Sequence, residues 1–327
     1  MAFRKAGDFK IGGKFLVYGE SGTGKSCFGL TFPRSAIVDS ETGIAFYEGT
    51  DITLNNGKTY NNVVNVDTTA DIDTLEEDLD SLLNGEYDNS IDTFIVDSET
   101  KFFNTLQTAA LEVEESRMKR KGGDVSDAGV SIRSWGRIKL INMKLQRAKL
   151  DISSKGFNVV SVAQSVNVLD EAGKKVIEIK PDMYKTVKFD YDTILYFFTK
   201  KEGDNYKYFA EVKKDRTRVT KVGQIIENPC YDIWADYFNG RNEFATNQTS
   251  FSKAVNTTTE SISEESEKVD EIIAEWKNVM KTIKESGNAS AATAINKFIK
   301  EKEIDVKKLD LLPIETAQEL LDFTKSL

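Results

Sequence analysis

Residues 19–26 read Gly19-Glu20-Ser21-Gly22-Thr23-Gly24-Lys25-Ser26, directly after the apolar run 14–18. The glycines at 19, 22 and 24 let the backbone wrap an anion so that amide N–H groups face it. Lys25 has the reach to meet the β- and γ-phosphates of a bound nucleotide, and Ser26 offers a hydroxyl to Mg²⁺. Cys27 opens the segment that follows the loop, a helix start whose positive end would add to the site. The ligands this spacing implies are ATP and Mg²⁺.

A Mg²⁺-nucleotide needs a second anchor, an aspartate at the end of a neighbouring hydrophobic strand. Asp97, closing Thr93-Phe94-Ile95-Val96, supplies it. Its distance from Lys25 leaves room for two strand–helix units, so the anchor strand is expected beside the phosphate-loop strand in space. Hydrolysis also needs a carboxylate to hold water against the γ-phosphate. The position after Asp97 is Ser98, so the Asp-Glu pair of many motor ATPases, AAA-type enzymes among them, is missing. Glu99 and Glu41 remain, both at ends of predicted strands that open onto the phosphate edge, with Glu41 favoured.

The composition removes most alternatives. The 327-residue chain contains no histidine and two cysteines, Cys27 and Cys230, far apart. Triad hydrolysis and the usual zinc sites are excluded, and a reducing compartment, the cytoplasm, is indicated. No run reaches the length of a membrane span and no secretory leader is visible. The formal charge of −9 means that any nucleic acid must be held by local basic segments.

These residues need a scaffold, and the pattern predicts an α/β one. Apolar runs at 14–18, 35–39, 63–66, 92–97 and 157–163 read as strands buried on both faces of a mainly parallel central sheet flanked by helices. Helical periodicity at 71–83 and 135–150 falls between them, and 193–199 with 206–213 reads as an antiparallel pair. The ATPase core is assigned to 1–240 and a flexible acidic linker to 241–268. A small C-terminal helical bundle follows at 269–327, with Pro313 at a helix start.

Three short motifs resemble the RecA core: 37–41 (IVDSE), 95–98 (IVDS) and 159–165 (VVSVAQS). The resemblance implies a RecA-like P-loop NTPase in which Glu41 is the base, Asp97 holds the metal and Gln164 senses the γ-phosphate. An amide at a strand end can also donate to a phosphate or water without adding charge. In 212–216 (VKKDR), Lys214 and Arg216 match a basic pair that completes a neighbouring subunit's site. That match implies a homo-oligomer, as a ring or a filament. The compact core is similar to phage-encoded RecA-core proteins, some of them single-strand annealing recombinases, without the N-terminal oligomerisation domain of full-length RecA.

Two basic segments are candidates for DNA: Arg117, Lys119, Arg120 and Lys121 beside two glycines, and a hairpin over 165–180 with Lys174 and Lys175 at its tip. The hairpin follows Gln164, where the resemblance puts a DNA-contacting loop. Neither segment carries an aromatic ladder for base stacking. The acidic stretch 260–275 cannot contact DNA, and the tail is a candidate docking element for a replication or recombination protein. The expected protein is a Mg²⁺-ATPase acting on single-stranded DNA in recombination or annealing. The rivals are a remodelling factor or helicase loader, and a nucleotide-gated adaptor.

Overall fold

The structure, a computed structural model, describes residues 10–240, 250–306, 308–309 and 312–327, without the side chains of 252 and 256–267. The chain divides into Met1–Ser252 and Lys253–Leu327. In the first unit the elements run Lys14–Gly19 (β1), Lys25–Gly29 (α1), Ser35–Asp39 (β2), Ile52–Thr53 (β3), Thr59–Tyr60 (β4), Val63–Thr68 (β5), Ile72–Leu83 (α2), Thr93–Asp97 (β6), Glu99–Arg120 (α3), Ile132–Ser154 (α4), Asn158–Leu169 (β7), Val176–Pro181 (β8), Thr193–Glu202 (β9), Asn205–Asp215 (β10), Ile225–Glu227 (β11) and Asp232–Asn239 (α5).

The sheet order is β11-β10-β9-β1-β7-β6-β2-β5, with β8 paired to β7 off this path. From β9 to β5 all neighbours are parallel. β10 and β11 add an antiparallel edge, and β8 folds back on β7. The apolar runs are explained by burial on both faces, since Phe15, Leu16 and Val17 of β1 are all inaccessible. Phe15, Val17, Ile95, Val162 and Phe197 face α1 and α5. Val38, Phe94, Val96 and Val159 face α2 and α4 through leucines such as Leu79 and Leu145. Along α2, Leu75, Leu79 and Leu82 make the buried stripe, each contributing about 1.5–3 kcal/mol. Asp71 caps that helix by accepting the Thr74 N–H at 2.9 Å.

Three expectations are corrected. The anchor strand β6 does not lie beside β1, because β7 inserts between them. That insertion puts the middle of β7, and so Gln164, between the phosphate loop and Asp97. The helix expected after the loop is present as α1 and is only five residues long, with Pro33 following closely. The phosphate cradle therefore relies on loop amides more than on a helix end. Arg117, Lys119 and Arg120 lie in the last turn of α3, not in a loop, and Lys121 caps it. Gly122, at φ 72°, stops the helix there.

The third correction concerns 241–268, of which 241–249 lie outside the described residues. A helix, α6, runs Phe251–Glu285 through the remainder. Val255, Ile262, Val269, Trp276 and Ile283 recur every seven residues, a helical period that the Ser/Thr/Glu-rich composition hides. In the second unit Ala289–Glu301 (α7) and Ile314–Lys325 (α8) follow, and Ile273, Ile295, Leu320 and Leu321 form a separate core. Among the described residues no helix is long and apolar enough to cross a membrane.

Candidate functional site

The parallel register brings the strand ends to one edge. Gly19 is level with Gln164 and Phe197, and Asp39 is level with Asp97. The phosphate loop leaves β1 there. Gly22 and Gly24 adopt φ 74° and 91°, which glycine alone tolerates cheaply. At Gly19 a Cβ would stand 2.3 Å from the Phe197 carbonyl oxygen, so close strand packing fixes that residue. Thr23 Oγ1 and Lys25 Nζ both donate to the Glu20 carbonyl, at 2.8 and 2.7 Å, tying the loop into a ring.

Above the loop opens a cavity of about 460 Å³ lined by the whole loop from Ser21 to Cys27 and by Glu41, Asp97, Ser98 and Gln164. That volume suits a small ligand. Apart from Lys214 and Arg216, the favoured catalytic and metal candidates are therefore in one chamber, although the sequence separates them widely. Glu20 lies beside the lining and contributes its carbonyl.

The electrostatics suit a magnesium-bound polyphosphate. Asp97 is 7% exposed. Burial pushes its carboxyl up to about 6, opposed by a hydrogen bond from Ser26, with Glu41 and Asp39 adding to the rise and Lys25 opposing it. Burial lowers the Lys25 ammonium, against the pull of Asp97, Glu41 and Glu20. A buried carboxylate beside a hydroxyl is a hard-oxygen pair that fits Mg²⁺. Among the described residues no group of three or more His, Cys, Asp or Glu could hold a metal alone. The remaining oxygens would come from phosphates and water, as Mg²⁺ prefers.

Glu41 and Glu99 are separated by their partners. Asp39 is buried and accepts the N–H groups of Glu41 (3.0 Å) and Ile44 (2.8 Å), shaping the turn that lifts Glu41 into the cavity. Glu41 Oε1 accepts from Ser98 Oγ at 2.9 Å and from Gln164 Nε2 at 3.1 Å. Glu99 points into the interior, where it pairs with the buried Lys149 and accepts from Ser161 Oγ at 2.5 Å. It does not line the cavity.

Gln164 is also tied to the hairpin that β7 enters. Its N–H donates to Thr100 Oγ1 at 2.9 Å, Thr100 Oγ1 donates to the Asp182 carbonyl at 2.7 Å, and the Asp182 N–H returns to the Gln164 carbonyl at 2.8 Å. This ring clamps the base of the β7–β8 hairpin to the start of α3. Lys174 and Lys175 sit at the exposed tip, as expected, and the Lys174 N–H is held by Asp170.

Lys214 and Arg216 are not brought to this cavity. Lys214 is level with Ile194, itself level with Leu16, so the pair lies towards the start of β1 and away from its own phosphate loop. Lys214 Nζ donates to the Phe189 carbonyl at 2.9 Å, and Arg216 pairs with Asp192 at 3.4 Å. Asp215 between them gathers Thr217, Thr220 and the Trp234 indole, which makes their turn a built one.

The far wall of the cavity was not anticipated. Tyr47, Leu54, Asn55, Tyr208, Asn228 and Pro229 line it. Leu54 and Asn55 sit at the turn of the short β3–β4 hairpin, and Asn55 Nδ2 donates to the Tyr206 carbonyl at 3.3 Å. Asn56-Gly57 is the hairpin signal that points to this element. Tyr208 packs on Gly24, where a Cβ would be 3.3 Å from its ring.

The glycine-rich cradle, the buried Asp97 beside Ser26 and the strand order define a P-loop NTPase built on a mainly parallel α/β sheet. Residues 11–222 match an AAA domain family, and the chain belongs to it. Ser98 after Asp97 therefore does not set the chain apart from AAA kinship, contrary to expectation. Among solved structures it is similar to a KaiC-like protein, PH0186, from the archaeon Pyrococcus horikoshii, at 14% identity and TM-score 0.37 over 68% of this chain and 91% of that one. No match was found among curated proteins.

Proposed function

We propose that the chain is a Mg²⁺-dependent ATPase whose hydrolysis is coupled to single-stranded DNA at the β7–β8 hairpin. It would serve recombination or strand annealing of phage DNA in the host cytoplasm. The observation that carries this reading is that Gln164 touches Glu41 in the cavity and begins the segment whose tip bears Lys174 and Lys175. Lys25 and the loop amides hold the phosphates, Ser26 and Asp97 hold the metal, and Glu41 orients water. Bound Mg²⁺ supplies neutralisation of phosphate charge. Gln164 exchanges its bond to Glu41 for one to the γ-phosphate or water, which shifts the clamp at the hairpin base.

Lys214 and Arg216, remote from their own site yet held on a rigid turn, act on a neighbour's nucleotide in a homo-oligomer. Arg117, Lys119, Arg120 and Lys121 provide a second backbone contact at the end of α3. A remodelling or loading activity on a protein, or a nucleotide-gated adaptor, is the second reading. The exposed apolar face of α4, with Ile132 93% and Leu140 63% accessible, is the observation in its favour.

The test is ATP hydrolysis with and without single-stranded DNA, at low and moderate salt, for wild type and Glu41→Gln. Stimulation by DNA that Glu41→Gln abolishes supports the reading. Hydrolysis indifferent to DNA transfers it to a protein partner.

A further inference from the structure

We infer that the face of β9 and β10 turned away from the nucleotide cavity is a base-stacking platform for single-stranded DNA, formed by Tyr196, Phe198 and Phe209. The inference rests on the ssDNA-coupled reading proposed for this chain and says where the bases lie.

The two strands are two-faced. Phe197 and Tyr208 line the nucleotide cavity. Their neighbours Tyr196, Phe198 and Phe209 point to the opposite face, because side chains alternate along a strand. Phe198 and Phe209 are direct cross-strand partners. Their rings are near-parallel, with centroids 5.6 Å apart and an interplanar angle of 19°. Tyr196 continues the row at 5.9 Å and 23°. The buried Tyr18, the residue before the phosphate loop, is level with Tyr196 on the neighbouring β1 and stands beside it at 5.3 Å. All three platform rings are half-buried and retain accessible surface.

Cations stand over this row. Lys200 Nζ lies 5.6 Å from the Phe198 centroid and 5.2 Å from that of Phe209, and Lys213 Nζ lies 5.7 Å from that of Tyr196. At its Tyr196 end the row opens into a cleft of about 710 Å³ whose rim carries Lys180, Lys188 and Lys213 against Glu178 and Glu211. Glu211 is already paired with Lys213 at 2.7 Å. The rim is net positive although the chain is acidic, which complements a phosphate backbone. Aromatic faces interleaved with lysines are what sequence-tolerant binding of unpaired bases uses, and a duplex offers no free base faces to them.

The cleft is also continuous with the hairpin after Gln164, since β8 forms its other wall and the Ile179 carbonyl accepts the Tyr18 hydroxyl at 3.3 Å. A strand entering at the Lys174–Lys175 tip would run along β8 onto the platform. Nucleotide on one face of β9–β10 and bases on the other would then act on the same backbone.

The test is binding of a fluorescently labelled oligothymidylate, followed by anisotropy with Mg²⁺ and a non-hydrolysable ATP analogue. Phe198→Leu/Phe209→Leu keeps apolar volume but removes the rings. It is expected to weaken binding about tenfold or more, at about 1–3 kcal/mol per stacked base. Phe198→Trp is expected to retain affinity, with its fluorescence quenched as oligonucleotide is added. If wild type binds oligothymidylate and the double leucine variant binds it equally, the platform is overturned while the ssDNA reading stands. Absence of binding by wild type overturns both. A leucine variant that changes only the mass in light scattering, at unchanged DNA affinity, makes the face a contact between copies and also overturns the platform.

Discussion

The side-chain amide of Gln164 donates to Glu41 Oε1 at 3.1 Å, joining the middle of β7 to the turn after β2 across 123 residues of sequence. The contact exists because β7 inserts between β1 and β6 and brings Gln164 level with Gly19 at the phosphate loop. One carboxylate thus meets both the cavity above the phosphate loop and a strand that continues into a hairpin with Lys174 and Lys175 at its tip.

Glu41 and Glu99 should respond differently to amide substitution. Glu41→Gln is expected to lower ATP hydrolysis at least a hundredfold, within the range for general-base loss, with Mg²⁺-ATP still bound. Glu99→Gln instead leaves the buried Lys149 without its carboxylate, at a cost of about 3–5 kcal/mol. Phosphate release, fluorescent-nucleotide binding and urea melts on the same two variants check this. Equal stability of Glu99→Gln and wild type would contradict the assignment.

Much of this site is legible in the sequence because local chemistry marks it. A glycine-rich loop between an apolar strand and a helix start has few other uses, and Asp97 ends a strand too apolar to lie anywhere but the interior. Glu41 required more, since Asp39 two residues earlier is equally acidic. What separates them is long-range, as Asp39 is buried under its own turn while Glu41 reaches Ser98 and Gln164. The interposition of β7 was hidden for the same reason, because strand order depends on which faces pack and not on any single segment. The row of Tyr196, Phe198 and Phe209 is not visible in the sequence as a ladder because its members come from two strands brought into register by an antiparallel turn. The basic end of α3 passed for a loop because few apolar residues mark that helix, with only Phe102 and Leu106 buried among its larger apolar side chains.

A pH effect on stability is expected from Asp78 on α2. Burial first, then the neighbouring Asp67 carboxylate and a hydrogen bond with it, push its carboxyl up to about 6. The folded state thus holds a proton that the unfolded chain, near 3.8, releases. This group's favourable contribution is present at low pH and is lost as pH rises through about 6. Asp78→Asn should therefore stabilise the protein at pH 7.5 by about 1 kcal/mol, with partial solvent screening allowed for, and the gain should shrink towards pH 4. Urea midpoints at both pH values measure it, and a pH-independent difference would contradict it.

If Lys214 and Arg216 serve a neighbour, their double alanine variant should bind nucleotide normally yet hydrolyse it at least a hundredfold more slowly under DNA-stimulated conditions. Mixing it with Lys25→Ala, which lacks a working phosphate site, should restore part of the activity, since each supplies what the other lacks. Hydrolysis by the double variant at the wild-type rate would sink the in-trans role.

The hairpin tip should contribute by neutralising phosphates. Replacing Lys174 and Lys175 by alanine is expected to weaken binding to all single-stranded sequences alike. The slope of log affinity against log salt should become shallower by about 1.4, at about 0.7 for each phosphate left without its lysine. An unchanged slope would place the DNA elsewhere, with the basic end of α3 the next candidate.

The most direct measurement is the ratio of ATP hydrolysis with single-stranded DNA to hydrolysis without it, in wild type and in Gln164→Ala. Coupling through Gln164 predicts a ratio well above one in wild type that falls to about one in Gln164→Ala, while the variant still binds oligothymidylate. An equal ratio in both proteins would contradict the coupling, because the signal between nucleotide and DNA would then bypass the contact between Gln164 and Glu41.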